Sequence, residues 1–244
     1  RHMPAIRAEF FACRINCLNE RRFVKMPLPM VHLGVANNIV ESGFHVDDLP
    51  DFYLGVFSPD AIHMRHNADR TDKHKTHLIP EGKMMEEIDE QEYCSFLLNF
   101  VKTRKSHVNT SFLWGYCIHI LTDLLWSKSV YSDFVAKYRE DPSPVQDERW
   151  AYYNDTDILD FELFRGCRWR EKVWDLLKQA EASDFLDLLS AGEIRAWKER
   201  TLHWYDSGES MHKNPVRYIE KPDVLNFISE CSEKILRLIG HPGI

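Results

Sequence analysis

The chain has 244 residues, enough to bury a full hydrophobic core, and its 44% hydrophobic and 28% charged content excludes a disordered, collagenous or coiled-coil polypeptide. A formal net charge of −7 excludes a broad basic face for duplex nucleic acid, although Lys102, Arg104 and Lys105 form a local basic cluster. No run approaches the ~20 apolar residues that span a bilayer, and no signal-like apolar stretch opens the chain, so a cytoplasmic location is expected.

Residues 1–25 differ in character from the remainder of the chain. Arg1-His2-Met3 resembles a leftover of recombinant expression, and Met26-Pro27-Leu28-Pro29-Met30 resembles a natural start. Residues 1–25 are therefore expected to be an extension, helical over 6–23 and without a chemical role, followed by a single domain over 26–244. Val31, Val35, Ile39 and Val40 mark one face of a helix ending near Gly43, with His32 in its first turn. Residues 49–56 predict a short helix stopped by Ser58-Pro59, because proline disfavours helical geometry in the residue before it.

Residues 63–83 carry His63, His66, His74 and His77 among charges, a loop-like composition. Residues 86–104 predict an amphipathic helix with Ile88, Tyr93, Phe96, Leu97 and Phe100 on one stripe. Asn109 or Thr110 caps the next, over 112–130, which is so apolar that it is expected at the centre of the protein. Asp141-Pro142-Ser143-Pro144 interrupts the pattern, and further helices are expected over 147–163, 168–180, 184–205 and 222–239. No segment alternates like a strand, so the expected fold is all-α. The six cysteines, Cys13, Cys17, Cys94, Cys117, Cys167 and Cys231, lack paired zinc-knuckle spacing and are expected as reduced thiols.

Chemistry concentrates on the central segment. His119 and Asp123 stand four apart, one above the other on a helical face, as do the two histidines of helical zinc sites. Trp114, Tyr116, Ile118, Leu121, Leu124 and Leu125 surround them, and a buried histidine and carboxylate need partners. A plain His–Asp hydrogen bond would satisfy both. A metal is the sharper reading, since His32, Asp60, His63, His74 and His77 lie upstream and this oxygen–nitrogen mix suits zinc, iron or manganese.

Four pieces in order, the Met-Pro-Leu-Pro run before His32, Asp51-Phe-Tyr-Leu-Gly-Val-Phe-Ser-Pro-Asp60-Ala, Lys73-His-Lys-Thr-His77 and Leu113-Trp-Gly-Tyr-Cys-Ile-His119-Ile-Leu-Thr-Asp123, resemble the zinc-dependent phospholipase C family, in its small bacterial members. The likeness covers residues 26–165. It implies an all-helical fold of the phospholipase C and single-strand nuclease type, with a metal cluster between helices that hydrolyses a phosphodiester or phosphomonoester. Carried over by position, His32, Asp60, His77, His119 and Asp123 are the expected ligands, with Asp60 bridging if two ions bind. The secreted enzymes and related fungal nucleases add a histidine six residues past this Asp and a later HxxxE pair; here Ser129 stands at the first position and no HxxxE follows Asp123. One or two zinc ions are therefore expected. Asp157 and Asp160 are either a replacement carboxylate source or a solvated acidic surface.

The implied reaction is attack of metal-activated water on a small phosphate ester. Asp60 would orient or deprotonate the water, and His74, or else His63, would protonate the leaving group. Two other readings stand beside it. One is a non-catalytic helical protein with a structural His–Asp pair or metal. The other is a nuclease, with Arg168, Trp169, Arg170 and Trp174 offered to single strands.

Overall fold

A computed structural model of the chain describes residues 28–240, whose regular elements are helices joined by turns, with no strand among them. The expected extension over residues 1–25, with Cys13 and Cys17, lies outside the described residues. In chain order the helices are α1 (Pro29–Glu41), α2 (Leu49–Phe57), α3 (Arg70–Thr76), α4 (Glu90–Arg104), α5 (Thr110–Lys128), α6 (Val130–Glu140), α7 (Glu148–Gly166), α8 (Arg170–Gln179), α9 (Ala191–Leu202) and α10 (Lys221–Ile239). A 3-10 helix (Ser58–Met64) continues directly from α2.

Helix α5 is the axis of the core. Leu113, Tyr116, Ile118, Ile120, Leu121 and Leu124 are buried, and they point to every side of the helix, so α5 has no polar face. Asn109 caps it by accepting from Ser111 N at 2.8 Å. Helix α2 crosses α5 at very short range through two glycines. A Cβ on Gly55 would lie 3.0 Å from Phe112 C, and one on Gly115 would lie 2.8 Å from Val56 N, with a carbonyl oxygen closer still in each case. Only residues without a side chain let these backbones touch. Helix α1 packs between α10 and α2, and α9 covers the 3-10 helix.

Two expectations need correction. Residues 63–83 are not a loop: α3 forms within them because Asp69 accepts from Thr71 N at 2.7 Å and Asp72 N at 3.0 Å, while Asp72 returns a bond to Asp69 N. The expected helix over 184–205 begins only at Ala191, where Ser190 and Glu193 form a reciprocal capping box. Before it, Phe185 and Leu189 close a tight turn on each other.

Candidate metal centre

Four elements carry the polar residues that meet at the core. α1 brings His32, the 3-10 helix brings Asp60 and His63, α3 and its C-cap bring Lys73 and His77, and α5 brings His119 and Asp123. Each is fixed by its own local chemistry. Pro29 starts α1, and Met30 N donates to Asp160 Oδ1 at 2.9 Å, which anchors the turn holding His32. Ser58 Oγ donates to Leu54 O at 2.7 Å where α2 passes into the turn of Asp60. Tyr93 OH donates to His77 O at 2.6 Å, and Tyr116 OH donates to Thr76 O.

The five residues expected as ligands come together. His32 Nε2 lies 3.3 Å from Asp123 Oδ1, and His119 Nε2 lies 3.3 Å from Asp123 Oδ2. His77 Nε2 is 3.4 Å from both Asp60 Oδ1 and Asp123 Oδ2, and His119 Nε2 is 3.9 Å from Asp60 Oδ2. The His32 and His119 rings stack at 3.9 Å, and His77 meets His119 edge-on at 5.5 Å. Donor atoms sharing one ion at ~2.1 Å, at octahedral to tetrahedral angles, lie about 3.0–3.4 Å apart, which is close to this spacing.

Two imidazoles have their tautomers set by backbone carbonyls. His119 Nδ1–H donates to Val56 O at 2.7 Å, and His77 Nδ1–H donates to Lys73 O at 3.0 Å. Each therefore presents a bare Nε2 lone pair to the cluster, facing carboxylate oxygens that also only accept. His32 Nδ1 and Nε2, His77 Nε2, His119 Nε2 and both Asp123 oxygens are buried without a hydrogen-bond partner. Converging acceptors with nothing to accept from are costly, because a buried polar group needs compensation.

The charges show what an ion would replace: without one, a proton on His119 and the Asp123 carboxylate offset each other. Burial would favour a protonated Asp123, but His119 and His32 outweigh it and hold the carboxyl well below its ordinary range. Asp60 is likewise driven far down against burial, by the Lys73 ammonium first and then by His63 and His77. Burial lowers His32 and His77, which favours neutral, ligand-competent rings; at His119 the Asp123 carboxylate overcomes burial and raises it.

The remaining sequence candidates fall differently. His74 is not with the cluster: on α3 it points away from His77, and its Nε2 accepts from Arg70 Nε at 3.2 Å. A helix turns 100° per residue, so Lys73 and His77 share the inner face and His74 leaves it. His63 has a side chain only 12% exposed, and its Nε2 is 3.6 Å from Asp60 Oδ1. Burial and Lys73 push its pKa down to about 4. His66 is exposed. Asp157 and Asp160 are neither solvated nor aimed at the cluster. Asp160 accepts from Met30 N and Tyr205 OH, and Asp157 from Ser210 Oγ. Trp174 is a core residue packed on Phe164 and Tyr205.

Sequence reasoning missed Lys73 as a member of the cluster. Its side chain is 5% exposed, and Nζ donates to Asp60 Oδ1 at 3.1 Å and lies 3.4 Å from His63 Nε2. The available signal was the i, i+4 spacing of Lys73 and His77. Cys94, Cys117, Cys167 and Cys231 are free thiols, the first two and Cys231 buried. No described helix is long and apolar enough to cross a membrane. Comparison of the chain with protein-family models, with curated proteins and with solved structures gives no match.

Proposed function

We propose that this chain is a metal-dependent hydrolase of small phosphoric esters, resembling the zinc-dependent phospholipase C family, with His32, Asp60, His77, His119 and Asp123 as its ligands. One observation carries the metal: buried nitrogen and oxygen atoms of His32, His77, His119 and Asp123 without hydrogen-bond partners lie in two groups of potential ligands that overlap at His119. Three imidazoles and two carboxylates suit zinc, with iron or manganese as alternatives. Bound there, such an ion supplies Lewis-acid polarisation of a phosphoryl oxygen and brings the pKa of water toward ~7.

The chain's own groups supply the rest. Asp60 has a side chain 16% exposed while His32, His77, His119 and Asp123 are at 0–2%, so substrate and water reach the cluster from the side of Asp60. Asp60 is ionised and orients the attacking water or takes its proton. His63 stands beside it, in the place expected for His74, and as a neutral ring it orients the water or the leaving group by a hydrogen bond. The carbonyls of Val56 and Lys73 keep His119 and His77 turned inward throughout.

The near-complete burial of four ligands favours a second reading, a closed structural metal without turnover. The separating experiment is elemental analysis of protein purified without chelator, followed by assay on bis(4-nitrophenyl) phosphate, 4-nitrophenyl phosphate and single-stranded DNA. One or two equivalents of metal, lost in His119→Ala and Asp123→Ala, with turnover of either nitrophenyl ester, supports the hydrolase. Metal without turnover leaves the structural site, cleavage of DNA favours the nuclease, and failure to take up any ion rejects the metal centre.

A further inference from the structure

We propose that Lys73 is a built-in cation standing where a second metal ion would stand, so that the cluster takes one divalent ion and Asp60 links that ion to an ammonium. The inference rests on the metal-binding reading above and fixes its stoichiometry.

Lysine is almost never fully buried unless paired, yet Lys73 is 4% exposed and its Nζ points at Asp60 Oδ1 at 3.1 Å. One of the two carboxylate oxygens through which Asp60 would bridge two ions is thereby already engaged. The donor set leads to the same count. The two groups able to hold an ion, His32 with His119 and Asp123, and Asp60 with His77 and His119, overlap at His119. His119 Nδ1–H is committed to Val56 O, so Nε2 has a single lone pair and serves one ion. Once it does, together with His32 and Asp123, a second ion retains only His77 as a ligand of its own, beside an Asp60 shared with Lys73 and the second oxygen of an Asp123 already held by the first ion, short of the three protein ligands that a zinc site keeps to itself. Charge adds to this, since a second dication would face the Lys73 ammonium across one carboxylate with little water between them.

The position also permits a clean test. Lys73 orients His77 through its backbone carbonyl, at 3.0 Å from His77 Nδ1, and a side-chain substitution leaves that bond in place. Apo protein, prepared by chelator dialysis of the full chain, is titrated with zinc chloride by equilibrium dialysis. His119→Ala serves to subtract binding elsewhere, and circular dichroism verifies folding. The wild type is expected to bind one equivalent, Lys73→Arg one, and Lys73→Met a second equivalent. Two equivalents in the wild type overturn the proposal. So does a folded Lys73→Met that still binds one. If Lys73→Met does not fold, the wild-type count and Lys73→Arg still decide, two equivalents in either overturning it. A wild type that binds none rejects the metal centre itself, a result distinct from all the others.

Discussion

Gly115→Ala is a small change with a large expected effect. An added Cβ would overlap the Phe52 carbonyl oxygen and lie 2.8 Å from Val56 N and 3.0 Å from Phe52 C. These are backbone atoms and no rotamer change removes the clash, so α2 has to retreat from α5 by on the order of 1 Å. Overpacking of this kind costs about 1–3 kcal/mol. The retreat also stretches the bond from His119 Nδ1–H to Val56 O, now 2.7 Å, and losing it costs roughly 1 kcal/mol more. The better helix propensity of alanine returns about 1 kcal/mol, leaving a net destabilisation of about 1–3 kcal/mol. Because the same bond fixes the His119 tautomer, metal affinity should fall roughly 10–100-fold as well. Urea denaturation of the apo protein measures the first effect and competition with a chromophoric chelator the second. Gly192→Ala is the control: its nearest contact would be Ser190 Oγ at 3.8 Å, so it should be neutral or stabilising by up to ~1 kcal/mol. A Gly115→Ala protein as stable and as tight for zinc as the wild type would refute the coupling of the crossing to the site.

Three further outcomes are expected. Zinc at about 100 times its dissociation constant should stabilise the wild type by about 2.7 kcal/mol, raising Tm by roughly 5–10 °C for a chain of this size; Asp123→Ala, measured by differential scanning calorimetry, should show no such rise. Asp160→Ala removes the acceptor of both Met30 N and Tyr205 OH. It should cost about 2–4 kcal/mol in urea denaturation and weaken zinc binding by loosening His32, whereas Asp160→Asn should recover part of both. His74→Ala should keep its full metal content by elemental analysis, because its ring faces Arg70, while His63→Ala should lower kcat on a nitrophenyl ester more than it raises KM.

Helicity could be read directly, since the 3.6-residue periodicity and the cap at Asn109 are properties of neighbouring residues. The His119–Asp123 pair was equally legible, because a spacing of four puts two side chains on one face whatever else the chain does. His32, Asp60 and His77 stood among several upstream candidates that only the resemblance singled out, and the structure brings all five side chains together. Helix α3 was obscured because it is short and its composition is loop-like; an Asp-x-x-Asp capping box was the only cue.

Other features depended on packing and had no local signature. Val56 O meets His119 across 63 positions because Gly55 and Gly115 let two helices touch, and Asp160 reaches Met30 across 130. The inner place of Lys73 and His63 and the outward turn of His74 follow from how α3 and the 3-10 helix sit against α5 and α9. The sequence by itself specified which residues can ligate and that His32, His119 and Asp123 lie on helices, since those are matters of side-chain chemistry and local period. Which lone pairs converge without partners, and which cation faces Asp60, was decided only when separate helices packed, because contacts between distant segments depend on crossing geometry that no local pattern encodes.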